Sequence, residues 1–261
     1  MADTVLLDVR EGVAHLTLNR PDDANTITPE LAEDLLAAAT AIELDPAVRA
    51  VLLSGAGPRF CGGGDLGGFH QAGDELPTNI RSLIAVFHGA IAMLVRGDAP
   101  IVAAVQGSAA GAGMGFVGMA DIVVAAESAK FVMAYTQVGL SPDGASSWFL
   151  PRIVGLKRAL ELTLTNRVLS AQEALEYGLV TTVVPDADVH DAAAAVATKL
   201  AAGPTIAFGS ARRLLHTSLE DTFETHLARE ADGIAHASTT HDAREGIAAF
   251  VEKRRPEFTG E

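Results

Sequence analysis

The chain has 261 residues, room for one large domain or two small ones at about 150 residues per domain. Its composition, 49% hydrophobic and 20% charged, is globular and excludes charge-driven disorder. With 19 Lys and Arg against 33 Asp and Glu, the net charge of −14 excludes a general affinity for nucleic acid or an anionic membrane, while an anionic ligand held by backbone N–H groups stays open.

The N-terminus, Met1 to Arg10, carries Asp3 and Asp8 and no long apolar run, so it does not read as a secretory signal. Val5–Val9 and Val13–Leu18 read as strands around a Glu11-Gly12 turn. Thr28-Pro29-Glu30 starts a helix, with a hydroxyl cap and Pro at the first helical position. Leu31, Leu35, Ala38 and Ile42 then repeat at helical spacing until Asp45-Pro46 stops it. Val48–Leu53 reads as a strand, residues 55–68 as a glycine-rich loop, and Pro77–Arg96 as a helix. Residues 99–120 carry no charge and are long enough to span a bilayer. Pro100, Gln106, Gly107, Ser108 and four more glycines divide them instead into a buried strand at Ile101–Val105, a turn and a helix to about Ala120. The expectation is a cytoplasmic protein with no membrane partner.

Ile122–Ala125 and Phe131–Met133 read as short strands and Gly155–Thr165 as a helix. Ser170-Ala171-Gln172-Glu173 is a capping box, Gly178 is placed to end its helix, and Val180–Val184 is the last strand. From Val189 onward helices are expected over 189–201, 205–216, 219–237 and 242–253. Strands first and helices last predict an α/β core with a helical C-terminal segment, divided here as 1–200 and 201–261.

Cys61 is the single cysteine, so an internal disulfide is excluded and a cysteine-based metal site is disfavoured. His15, His190 and His236 have no second ligand at helical metal spacing, and no metal is expected. Gly113-Met114-Gly115-Phe116-Val117-Gly118 matches G-x-G-x-x-G by letter. Its glycines fall inside the predicted helix, several residues beyond the strand, and no acidic residue suits a ribose, so a dinucleotide site is disfavoured.

Two glycine-rich sites each follow a strand, Phe60–Leu66 and Gly107–Gly118. Either alone reads as a tight turn. Together they present unencumbered backbone N–H groups, one from a turn and one from a helix start. Two such donors converging on one point make an oxyanion hole, in which each contributes on the order of 3 kcal/mol when charge develops on an oxygen.

These residues resemble the enoyl-CoA hydratase/isomerase (crotonase) superfamily along nearly the whole chain. The resemblance rests on Ala24-Asn25, Phe60–Leu66, Pro100–Asp121, Gly139-Leu140-Ser141-Pro142-Asp143-Gly144, Leu150-Pro151-Arg152, Leu164–Arg167, Ala174–Val180 and Ala249–Arg254. It implies a spiral of ββα units with a C-terminal helical trimerisation region, and a homotrimer or dimer of trimers. It implies an acyl-CoA thioester substrate and no separate cofactor, since CoA belongs to the substrate. By position it implies Gly64 and Ala112 as the N–H donors. It places Cys61, Gly63, Asp65, Leu66 and Gly111 around the thioester, and Phe250 and Lys253 on CoA, often that of a neighbouring subunit. Asp65 also reads as an anchor for its loop, and Lys253 as a solvated helix face.

The departures from the family pattern carry the functional argument. Hydratases of this family use two glutamates, whose positions fall here on Gly115 and Tyr135. A tyrosine has too high a pKa to replace a carboxylate as a base. Asp143 is the remaining acid/base candidate, since a carboxylate walled by apolar groups can take and return a proton. Trp148, Phe149 and Leu150 are the expected wall, and capping of a helix starting near Gly144 is the rival role. The middle of the chain resembles ring-epoxide phenylacetyl-CoA isomerases and 4-chlorobenzoyl-CoA dehalogenases. In the latter, an aspartate at the Asp143 position attacks the ring, a histidine at the His88 position assists, and a tryptophan stands at the Tyr135 position. His88 alone reads as a helix-packing residue. The expectation is therefore an acyl-CoA isomerase. The alternatives are an enoyl-CoA hydratase, a dehalogenase-like aryl-CoA enzyme and a non-catalytic acyl-CoA-binding protein.

Overall fold

The structure, a computed structural model, describes residues 3–261. Strands β1 (Val5–Arg10) and β2 (Val13–Leu18) form the antiparallel edge of a six-stranded sheet. It continues in parallel through β3 (Ala50–Gly55), β4 (Ile101–Val105), β6 (Ile122–Ala126) and β9 (Thr182–Val184), in the order β1-β2-β3-β4-β6-β9. A smaller sheet holds β7 (Lys130–Val132) between β5 (Ser108–Ala110) and β8 (Leu169–Ser170). All five residues of β4 are buried, as expected of a central parallel strand covered on both faces.

Helix α1 (Pro29–Leu44) starts where the sequence places it, with the Thr28 hydroxyl accepting from Leu31 N–H. It packs on α3 (Leu76–Arg96). The loop expected over 55–68 is shorter than predicted, because Asp65 accepts from Gly67 N–H and starts α2 (Leu66–Ala72). Strand β3 begins two residues later than predicted, since Val48 N–H closes a turn onto Asp45. The uncharged stretch at 99–120 forms β4, β5 and the buried helix α4 (Ala112–Met119). Among the described residues, the Leu66–Arg96 stretch is the one helical run long and apolar enough to cross a membrane. Its Leu83, Phe87, Ala90, Ile91 and Leu94 are buried in the protein core.

Helices α5 (Ser146–Val154), α6 (Leu156–Thr165) and α7 (Ala171–Glu176) follow, the last with the full Ser170–Glu173 capping box. Helix α8 (Val189–Ala201) packs on β3 and β4. The chain ends in α9 (Thr205–Thr217), α10 (Phe223–Ala237) and α11 (His241–Glu252), α10 starting later than expected because Thr222 caps it. This is a mixed α/β architecture with C-terminal helices, and the site lies where the loops after parallel neighbours β3 and β4 meet.

Candidate active site

The loops after β3 and β4 approach each other through glycine. Cys61 bridges to Ala109, and Ala110 N–H donates to Cys61 O at 2.9 Å. One step on, the backbones of Gly63 and Gly111 touch. A Cβ on Gly63 would lie 3.4 Å from Gly111 Cα and 2.9 Å from Ala110 O. Gly63 also has a φ of +94°, so it is fixed both by backbone conformation and by space. Gly64 and Ala112, the residues that follow, are thereby brought side by side. The short bridge to Ile27 uses Gly63 O and Asp65 N–H and leaves Gly64 N–H unused. Ala112 is the first residue of α4, so its N–H has no acceptor within the helix. Among the described residues neither N–H has a protein partner, and both residues line one cavity of about 460 Å3. The start of α4 adds its positive dipole end to the same point.

The cavity walls are largely apolar. Phe69 from α2 lies over Gly64, its ring carbons 3.1 Å from where a Cβ would stand, and Ile80, Ile84 and Phe87 come from α3. Val138, Leu140 and Pro142 close the far side. Asp143 is the single carboxylate in the lining, and Tyr135 and His88 line it too.

Asp143 sits in a loop gripped from three directions. The Tyr135 hydroxyl donates to its Oδ1 at 2.6 Å and lies 3.1 Å from its carbonyl oxygen. Burial, then the charge and hydrogen bond of Asp143, push the Tyr135 phenol well above its ordinary pKa, so it stays a donor. Gly144 N–H donates to His88 Nε2 at 3.1 Å. Gly144 O faces Gly115 so closely that a Cβ there would lie 2.0 Å away.

That last contact explains the missing glutamate. Gly115 has no room for any side chain, because the Gly144 backbone occupies the space. The neighbouring glycines of α4 are likewise packing residues. A Cβ on Gly113 would meet Cys61 O at 2.6 Å, and one on Gly118 would meet Phe149 Cβ at 2.7 Å. The G-x-G-x-x-G spelling is therefore a close-packed helix.

Several expectations are corrected. Asp143 does not cap a helix with its carboxylate. Its carbonyl oxygen accepts from Ser146 N–H and Oγ, and the N-cap of α5 is Ala145. Trp148, Phe149 and Leu150 do not wall the cavity. Arg152 stacks on the Trp148 ring at 3.3 Å, and Phe149 packs against Gly118 and His216. Cys61 faces the core rather than the ligand. It is fully buried, its thiol donates to Asn25 O, and burial pushes its pKa up to about 12, which makes it inert. Asp65 caps α2 and borders a neighbouring cavity, whereas Gly63, Leu66 and Gly111 line the main one. Phe250 and Lys253 are exposed at the end of α11, outside the cavity lining. The Gly144–His88 bond joins residues 56 apart and leaves no local pattern in the sequence.

Comparison with known proteins places the chain in a family. The enoyl-CoA hydratase/isomerase family profile matches residues 8–261. The chain is 38% identical over 261 residues to 1,2-epoxyphenylacetyl-CoA isomerase of Escherichia coli (strain K12), covering 100% of both chains. It is 35% identical over 232 residues to 4-chlorobenzoyl coenzyme A dehalogenase-2 of an Arthrobacter species, covering 88% of this chain and 84% of that one. The crystal structure of an enoyl-CoA hydratase from Polaromonas sp. JS666 superposes with a TM-score of 0.93 at 34% identity, over 98% of this chain and 99% of that one. From its profile, its sequence and its fold, the chain belongs to the enoyl-CoA hydratase/isomerase family.

Proposed function

We propose that the protein is an acyl-CoA isomerase that moves a proton between carbons of an enoyl- or ring-acyl-CoA. One observation carries this reading: the cavity holds a single carboxylate, Asp143, and the closed space at Gly115 excludes a second. Asp143 removes a proton from a carbon of the acyl group, and the electron pair moves onto the thioester oxygen. Gly64 and Ala112 N–H groups hold the resulting enolate oxygen, with about 3 kcal/mol from each donor. Asp143 exchanges that proton with solvent in the open cavity on part of its turnovers and returns a proton at a second carbon, so no net water, metal or redox partner enters the balance. Tyr135 donates to Oδ1 throughout, which leaves Oδ2 as the proton-carrying atom.

The test supplies 3-enoyl-CoA and ring-acyl-CoA substrates in deuterated water. Double-bond migration with deuterium exchange is expected in the wild type. Asp143→Asn should lower it by about 10²–10⁴-fold with unchanged thermal unfolding. Full activity in Asp143→Asn would sink the assignment, and tight CoA-thioester binding without turnover in the wild type would favour a non-catalytic binder. Water addition to crotonyl-CoA would favour a hydratase.

A dehalogenase-like reading has a specific observation in its favour, the aromatic donor Tyr135 on Asp143. In that reaction the carboxylate would displace halide from an aryl-CoA ring, and water would then release the product. Halide release from 4-chlorobenzoyl-CoA decides between the two.

For assembly, the reading is a homotrimer or dimer of trimers. Leu215, Leu219, Phe223, Ile234, Phe250 and Val251 are exposed on α9 to α11, a surface for neighbouring copies. Phe250 and Lys253 would then meet the CoA of an adjacent protomer. Light scattering should give a multiple of three times the 27.0 kDa protomer.

A further inference from the structure

The loop carrying Asp143 is held by a contact that the proposed chemistry does not use. Gly144 is buried, with a φ of +58°, and its peptide is gripped on every side. Its carbonyl oxygen abuts Gly115 of α4, and Phe87 of α3 packs against its Cα, at 3.0 Å from where a Cβ would be. The next residue of α3, His88, meets the remaining polar group, the Gly144 N–H, with Nε2 at 3.1 Å. A backbone N–H donates and never accepts, so Nε2 must present its lone pair and the ring proton sits on Nδ1. In this arrangement Nε2 has no free lone pair with which to take a proton from substrate. This differs from an assisting base, the role the resemblance to dehalogenases suggests for this position.

We infer that His88 is a positioning residue that acts as a hydrogen-bond acceptor for Gly144 N–H and so fixes the Asp143 carboxylate toward the cavity. Tyr135 holds the side chain of Asp143 and His88 holds the peptide that follows it. Between them the carboxylate keeps one orientation. Without the acceptor, a buried N–H would be left unpaired and the loop would turn to find a partner.

The kinetic part of the test rests on the isomerase reading; the exchange part does not. His88→Leu removes the acceptor, whereas His88→Gln places an amide oxygen near the Nε2 position and cannot act as an acid or base. In full-length protein, His88→Leu should speed amide hydrogen exchange in peptides spanning 141–146 and lower kcat about tenfold, with KM and CoA-thioester binding changed less than about twofold. His88→Gln should restore both. A proton-transferring or base role predicts instead that Gln is as damaging as Leu, and that result overturns the inference. Unchanged exchange at Gly144 in His88→Leu overturns it too, as does faster exchange with undiminished kcat. If the wild type turns over no substrate, the isomerase reading fails and the exchange comparison of the two variants still decides the role of His88.

Discussion

Helices α4 and α10 mark the two extremes of packing in this chain. Every residue of α4 is buried, and none of α10 is. In α4 the permitted side chain is set by backbone within van der Waals reach, so three of its eight residues are glycines despite their poor helix propensity. In α10 the apolar Phe223, Leu227 and Ile234 fall on one face at helical spacing and meet solvent in the single chain. Apolar helix surface therefore has two outcomes here: all round and enclosed in α4, one exposed face in α10. One region is finished by its own fold, and the other leaves an apolar face that the chain itself does not cover.

The close packing of α4 is most sensitive at Gly115. Gly115→Ala places a methyl 2.0 Å from Gly144 O, and the atom that must yield is backbone. Overpacking of this kind costs about 1–3 kcal/mol or more, and the upper end is expected here. Denaturant unfolding should show that loss, together with loss of isomerisation as Asp143 is displaced. Unchanged stability would mean that the loop yields freely and that the missing glutamate has another cause.

In α10 the expected effect is on assembly rather than folding. Ile234→Asp puts a charge on a residue that is 74% exposed in the protomer, so helix content by circular dichroism should hold. Mass by light scattering should fall to the 27.0 kDa protomer. Retention of the assembled mass would place the oligomer contact elsewhere.

The smallest effect concerns the chain end, where the tail is tied to α11 by Asp242. Burial alone would raise the pKa of this carboxyl, but N–H donors from Thr259 and Gly260 outweigh burial and hold it below the usual aspartate range. A lowered folded-state pKa contributes stability above the unfolded value of about 3.9, and that stability is lost as pH falls through the folded value. Wild-type melting temperature should therefore fall more steeply below about pH 4 than that of Asp242→Asn, which has no charge to lose. Parallel slopes would remove Asp242 from the acid response.

Local rules read correctly wherever both partners lie within one turn of chain. The Thr28 cap and Pro29 start of α1, the Ser170–Glu173 capping box and the β1–β2 hairpin around Glu11-Gly12 belong to this class. The two glycine-rich loops are local features too, whereas Gly64 and Ala112 as donors and Asp143 as the remaining carboxylate were reachable only by setting the chain against the family pattern. What only the tertiary structure decided joins residues far apart in sequence. Examples are the touching of Gly63 and Gly111, the closed space between Gly115 and Gly144, and the bond from Gly144 to His88. The identity of the cavity wall changed for the same reason. Trp148, Phe149 and Leu150 are neighbours of Asp143 along the chain, but α5 turns them away, while α2 and α3 supply Phe69, Ile84 and Phe87 from some sixty to seventy residues earlier. Chain proximity fixes which residues travel together, and packing of helices against the sheet fixes which ones face the same space.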